Sequence, residues 1–227
     1  MFSIESAGNV VATITTKADL GILADNPLPE GIDVAEFRLD NLIEDVDQAE
    51  EVAKSCELPI LITARNPREG GVNDLPEGER LKVLLRFLPL AKLVDLEIQT
   101  LESSKPARNL LREAQQSGVL VLGSFHDFDQ TPPISTLRET LLKGADLGVD
   151  APKLALFLDS MENLFALSEL VQKSLFPVSA MGMGPLGKLS RLVLAKAGSA
   201  LNYGYFREPN APGQWSAETL KGLITEL

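Results

Sequence analysis

Cysteine and histidine are almost missing from this chain of 227 residues, which has one of each, Cys56 and His126. One cysteine cannot close an internal disulfide, and one of each cannot build a zinc site from the usual ligand set. Those two counts remove most structural-metal and Cys-dependent hypotheses, and no metal site is expected. Basic residues are also in short supply: 21 Lys and Arg face 32 Asp and Glu, a formal net charge of −11. That balance argues against a nucleic-acid surface and against a polybasic membrane patch. No apolar run approaches the roughly 18 residues of a transmembrane helix. The opening Met-Phe-Ser-Ile-Glu-Ser shows no basic region followed by an apolar core, so no signal peptide is expected. No Pro/Ser-rich linker and no long repeat divides the chain. What is present is ordinary globular composition, 44% hydrophobic and 23% charged. The expectation is a soluble, cytoplasmic protein with one domain over residues 1–227.

Short runs rich in Val, Ile and Leu predict strands over 10–15, 34–40, 59–65, 93–99, 119–125, 152–157, 177–181 and 197–203. Helical spacing predicts helices over 46–56, 77–88, 105–116, 134–145, 161–174, 186–195 and 217–227, with one short helical segment over 18–25. Ser160 and Ser216 stand where helix N-caps belong, each with an acidic residue in the turn that follows. Gly144 is expected to end or loosen its helix. Eight strands alternating with eight helical segments, at about 28 residues per unit, predict a (β/α)8 barrel. An open doubly wound sheet would want a Gly-rich turn after the first strand, and the turn here is Thr15-Thr16-Lys17-Ala18.

Barrel chemistry sits at the C-terminal ends of strands. Charged residues gather there: Glu36, Arg38 and Asp40 on one face of the second strand, Arg65 and Glu69 after the third, His126 and Asp127 after the fifth, and Lys153 in the sixth. A lysine interrupting an apolar strand is costly unless it is paired or neutral. Each residue also has a plainer reading. Lys153 could be a surface lysine at a strand edge, and His126 a satisfied structural histidine. Arg38 with Glu36, or Arg65 with Glu69, could be solvated ion pairs of little worth. The stretch 182–188, with glycines at 182, 184 and 187, could cradle a phosphate.

In order along the chain stand Glu36-Phe37-Arg38-Leu39-Asp40, Thr63-Ala64-Arg65 with Glu69-Gly70-Gly71, and Ser124-Phe125-His126-Asp127-Phe128 with Thr131-Pro132. Pro152-Lys153-Leu154-Ala155, Met181-Gly182-Met183-Gly184 through Ser190-Arg191, Gly198-Ser199-Ala200 and Ala211-Pro212-Gly213-Gln214 follow. This series resembles the type I 3-dehydroquinate dehydratases, (β/α)8 barrels that work through a lysine Schiff base, and the resemblance covers nearly the whole chain.

The resemblance implies dehydration of 3-dehydroquinate to 3-dehydroshikimate, without a cofactor, in the shikimate pathway. It implies that Lys153 forms an imine with the ring ketone and that His126 moves protons. Glu69 would tune that histidine. Asp127 is the alternative by proximity, but adjacent side chains on a strand point apart. Arg38, Arg65 and Arg191 are the expected cationic neighbours of Lys153. Glu36, Arg38 and Arg65 would hold ring hydroxyls and the surroundings of the lysine, and Arg191 would pair with the substrate carboxylate. Gln214 would close over the substrate. Asn210 stands where the family usually has Ser, and it can still hydrogen-bond a substrate oxygen. On the first strand Thr13 is the better candidate for a substrate contact, with Thr15 second. A homodimer is expected. The rival activities are a class I aldolase, with its phosphate at 182–188, and a non-catalytic metabolite-binding relative.

Overall fold

The computed structural model describes residues 2–209 and 213–227. Their elements run β1 (Asn9–Ile14), α1 (Lys17–Asp25), β2 (Val34–Arg38), α2 (Val46–Ser55), β3 (Ile60–Thr63), α3 (Glu77–Phe87), β4 (Leu93–Glu97), α4 (Ile98–Ser103) and α5 (Lys105–Gln116). They continue with β5 (Leu120–Asp127), α6 (Ile134–Leu147), β6 (Ala151–Phe157), α7 (Met161–Gln172), β7 (Ser179–Met183), α8 (Gly187–Ala197), β8 (Leu201–Tyr205) and α9 (Ala217–Glu226). The strands pair in parallel in the order β7-β6-β5-β4-β3-β2-β1-β8. Among the described residues no continuous ladder joins β7 to β8. That seam is closed by Ala200 N–H donating to Val178 O at 2.9 Å, by Ser179 Oγ donating to Leu201 O at 2.8 Å and by Ala180 N–H donating to Ser199 Oγ at 3.0 Å. The result is a nearly closed (β/α)8 barrel.

Alternation along the strands builds two environments. Val10, Ala12, Phe37, Ile62, Val94, Val121 and Leu154 face outward and are buried under helices. Val11, Val34, Leu61, Leu93, Leu122 and Ala151 face inward and form an apolar floor. Two residues further along the same strands come Thr13, Glu36, Thr63, Asp95, Ser124 and Lys153, all buried. Burying a Val or Leu side chain contributes about 1.5–3 kcal/mol. An unpaired buried charge costs more than that. The polar layer must therefore pair internally, and it does, as described below.

The N-caps form as expected: Ser160 accepts from Asn163 N–H, and Ser216 from Thr219 N–H. Several boundaries differ. Gly144 does not end α6, which continues to Leu147; Gly144 is where the helix lies against Pro152, and a Cβ there would sit 3.1 Å from the proline ring. Gly148, at φ 86°, is the C-cap instead. The fourth strand stops at Glu97, and Ile98 starts the short helix α4, whose Ile98 and Leu101 are buried. The fifth strand runs on through His126 to Asp127. The seventh begins later than expected, at Ser179, and so does the eighth, because the helical spacing of α8 persists to Ala197 ahead of it. Among the described residues no helix is long and apolar enough to cross a membrane.

Candidate active site

A cavity of about 90 Å³ opens at the C-terminal end of the barrel. Thr13, Glu36, Arg38, Arg65, Glu69, His126, Lys153, Arg191 and Gln214 all line it. The strands deliver most of them: a polar side chain placed one inward step above the apolar floor points at the barrel axis. Asn210 lies outside the described residues, as do Ala211 and Pro212. Thr15 does not line the cavity; its N–H donates to the Asp19 carboxylate that caps α1. Asp127 turns away from the imidazole and accepts from the N–H groups of Asp129 and Gln130.

The lysine's nearest partner is a carboxylate rather than a cation. Lys153 Nζ donates to Asp95 Oδ2 at 2.9 Å, and it lies 4.3 Å above the centre of the Tyr203 ring. Asp95 also accepts from Arg65 Nη2 at 2.7 Å and from Ser124 Oγ at 2.5 Å. Burial works to raise the Asp95 carboxyl, but Arg65 and Lys153 outweigh it and hold it far below the usual carboxylate range. Arg65 donates its other Nη to Glu97 at 3.1 Å and to Ser124 Oγ at 2.6 Å. Glu97 in turn accepts from Arg80, Thr100 Oγ and the Asn66 N–H. The arginine is thereby held from several sides.

The two ion pairs weighed from the sequence are not the ones formed. Arg38 grips Asp40 with Nε and Nη2 at 2.9 and 2.8 Å, leaving Glu36 to accept from Thr63 Oγ at 2.8 Å. Arg65 pairs with Asp95 and Glu97, so Glu69 is left for His126. Glu69 Oε2 accepts from the His126 main-chain N–H at 3.0 Å and lies 2.9 Å from Nδ1. The geometry is that of an ion pair, yet burial disfavours both charges. Burial, aided by Glu97 and opposed by Arg65, lifts the Glu69 carboxyl to about 7. Burial, with Arg65 and Lys153, pushes the imidazole well below its ordinary range. One proton shared between the two groups reconciles both shifts. Donation from Nδ1 to the carboxylate leaves the Nε2 lone pair free to accept a proton.

Arg191 is 2% exposed, and its described partners are carbonyl oxygens: Tyr203 O at 2.6 Å and Gly213 O at 3.4 Å. Among the described residues no carboxylate pairs with it. Burial alone draws its guanidinium down to about 10, so it stays charged at neutral pH. A buried, charged guanidinium lining an open cavity is a complement to an anion.

The stretch that could have cradled a phosphate in the rival reading is packed by protein. A Cβ on Gly187 would lie 2.9 Å from Gly213 Cα, so these two backbones already touch. Lys188 extends over the Trp215 ring, 4.4 Å from its centre. Among the described residues no three His, Cys, Asp or Glu side chains come together as a metal site. Sequence reasoning missed Asp95, Glu97 and Tyr203. The signal for the first two was present: Leu93-Val-Asp-Leu-Glu97 carries its charges at alternate positions, as the second strand does.

Fold and site together define a (β/α)8-barrel enzyme centred on a buried lysine in a cavity of carboxylates and arginines. The model of the family "Type I 3-dehydroquinase" matches residues 10–227, and the chain belongs to that family. It is 34% identical over 212 residues to the 3-dehydroquinate dehydratase of Methanocella arvoryzae, covering 93% of each chain. It is 33% identical over 220 residues to the catabolic 3-dehydroquinate dehydratase of Acinetobacter baylyi, covering 91% of this chain and 79% of that one. The solved structure of 3-dehydroquinate dehydratase from Geobacillus kaustophilus superposes with a TM-score of 0.83 at 25% identity, covering 98% of this chain and 91% of that one.

Proposed function

We propose that this chain removes water from 3-dehydroquinate to give 3-dehydroshikimate through an imine on Lys153, in the shikimate pathway. The observation that carries this reading is the presence of a buried amine, Lys153, and a Glu69–His126 proton pair in one cavity. An amine must shed its proton to attack, and the Nε2 lone pair of His126 is the acceptor at hand. Nζ then bonds to the ketone carbon, and the imidazolium returns its proton to the oxygen, which leaves as water, giving a cationic imine and a neutral His126. The positive nitrogen lowers the cost of the enamine formed when His126 takes the neighbouring C–H proton. The same imidazolium returns a proton to the departing hydroxyl. Water then cleaves the conjugated imine and frees the amine. Asp95 favours the cationic nitrogen throughout, at a depth where its charge is little screened.

Arg191 binds the substrate carboxylate, for which a guanidinium with no carboxylate partner among the described residues is suited. Glu36 and Arg38 hold ring hydroxyls; Thr13 and Gln214, which line the cavity, complete the contacts, and the family resemblance adds Asn210. Arg65 keeps Asp95 ionised. Borohydride reduction with 3-dehydroquinate, followed by peptide mass mapping, tests the covalent step. One ligand mass on the Lys153 peptide is expected, with no label in Lys153→Ala. Label on Lys143 or Lys188 instead would overturn the assignment. No observation favours an aldolase, because Gly187 is packed against the Gly213 backbone, Gly182 against Leu158 and Ser190, and Gly184 against the Phe157 ring.

The same reading has the chain acting in the cytoplasm as a homodimer. Leu142 on α6 and Met161 and Phe165 on α7 expose apolar surface that a second copy could cover. Light scattering at micromolar concentration gives the mass, and a monomer would refute the dimer. Cell fractionation tests the compartment.

A further inference from the structure

Phe128 has no part in the mechanism above. It follows the last residue of β5, is 44% exposed, and lines the cavity at its rim. An aromatic ring in water at a cavity rim calls for a reason, and two contacts supply one. The ring lies nearly parallel to the imidazole of His126, at 15° with centroids 6.3 Å apart. Its other end rests on Gly70, the residue after Glu69. A Cβ on Gly70 would lie 2.5 Å from Phe128 Cζ and 2.7 Å from Cε2. Gly70 also sits at φ 89°, where side chains are disfavoured. One ring thus spans from the loop that carries Glu69 to the strand end that carries His126.

We propose that Phe128 is a positioning residue that covers the Glu69–His126 pair, keeps water off it and holds the imidazole in one orientation, and that Gly70 is there to let the ring close. This deepens the reading of His126 as the proton-transfer group and rests on it. An imidazole kept dry stays neutral at working pH, which an acceptor of the substrate proton requires. Phe128 is not alone in that influence. His126 is faced by Glu69 from the loop after β3, Arg65 from the end of β3, Asp95 from β4, Lys153 from β6 and Arg38 from β2. Those groups set the charge around the pair; Phe128 sets its access to water.

The chain's single histidine makes the test direct, because His126 gives the only imidazole signals in an NMR titration. Phe128→Ala should move that titration upward, towards the ordinary histidine range. Phe128→Tyr keeps a ring over the imidazole and should leave it where it is. Gly70→Ala should shift it in the same sense as Phe128→Ala, and should add nothing in a Phe128→Ala background. In turnover, kcat of Phe128→Ala should fall on the order of tenfold, a fraction of the roughly 100-fold or more that a whole acid/base group contributes. KM should change less, and borohydride trapping on Lys153 should persist. An unshifted titration in folded Phe128→Ala, or an equal shift in Phe128→Tyr, overturns the proposal. A shifted titration with unchanged kcat would uphold the cover and instead refute the catalytic reading of His126.

Discussion

Asp95 and Lys153 meet at 2.9 Å beneath the cavity, and Arg65 holds the same carboxylate oxygen at 2.7 Å. The carboxylate is therefore shared between the lysine proposed to react and an arginine that is not. Asp95→Asn keeps the shape and removes the charge. We expect turnover to fall by at least tenfold and stability to fall by about 3–5 kcal/mol, the cost typical of breaking a buried pair. Asp95 has its carboxyl pKa depressed by folding, so its contribution is complete above the unfolded value near 4 and is lost as pH falls below it. Urea denaturation of both proteins from pH 7 to pH 3 should show a steeper loss in the parent. Parallel curves would contradict the assignment.

His126→Ala should lower kcat by about 100-fold or more. Because the chain has one histidine, no second imidazole can substitute for it. Imine formation with the product should survive, since Lys153 is untouched. Normal steady-state turnover in this variant would mean that another group or a water moves the proton.

Glu69 has the opposite sign to Asp95. Its folded pKa, about 7, lies above the unfolded value near 4.3. The folded state therefore binds the extra proton, and ionising Glu69 costs stability as pH rises through that window. Glu69→Gln removes this cost. Its stability relative to the parent should improve between pH 5 and pH 8, by a few kcal/mol at most, while kcat falls. Denaturation midpoints at the two pH values decide it. A gap that stays constant or narrows would show that Glu69 is ionised without penalty.

Arg191→Met should separate binding from stability. The arginine is a buried cation with no described carboxylate partner, so an apolar side chain of similar length should raise the melting temperature. The KM for 3-dehydroquinate should rise by a factor equivalent to about 2–5 kcal/mol, and Arg191→Lys should recover only part of that. Neutralising the surface pair Glu50 and Glu51 should leave KM nearly unchanged at physiological salt, where screening acts over about 8 Å. If Arg191→Met binds as well as the parent and the surface change improves binding, long-range charge rather than a local arginine governs recognition.

Much of this was legible because a barrel writes its interior in a simple period. Short runs rich in Val, Ile and Leu marked the strands, and the charged residues at their ends pointed to Glu36, Arg38 and Lys153. Pairing was not legible. Asp40 and Glu36 are equally spaced about Arg38, and only the turn after β2 brings the former into reach. Asp95 was passed over because it sits mid-strand, where an apolar residue is the default. Its suitability depends on Arg65 and Lys153, which are 30 and 58 residues away. The start of the eighth strand was misplaced because helix α8 runs on to Ala197, in a stretch that reads equally well as either element.

The seam between β7 and β8 has its own consequence. Elsewhere adjacent strands are joined by backbone ladders; here two serine hydroxyls take a large share of the joint. Hydroxyls exchange partners with water more readily than a ladder does, so heating should part the wall here first. Arg191 spans the weak place, since it rises from α8 and donates to the main chain of Tyr203 on β8. Lys153 is anchored across β6 and β4, away from the split. A warming molecule should therefore displace Arg191 before Lys153, and with the roles proposed for them heat inactivation should begin as a failure of affinity.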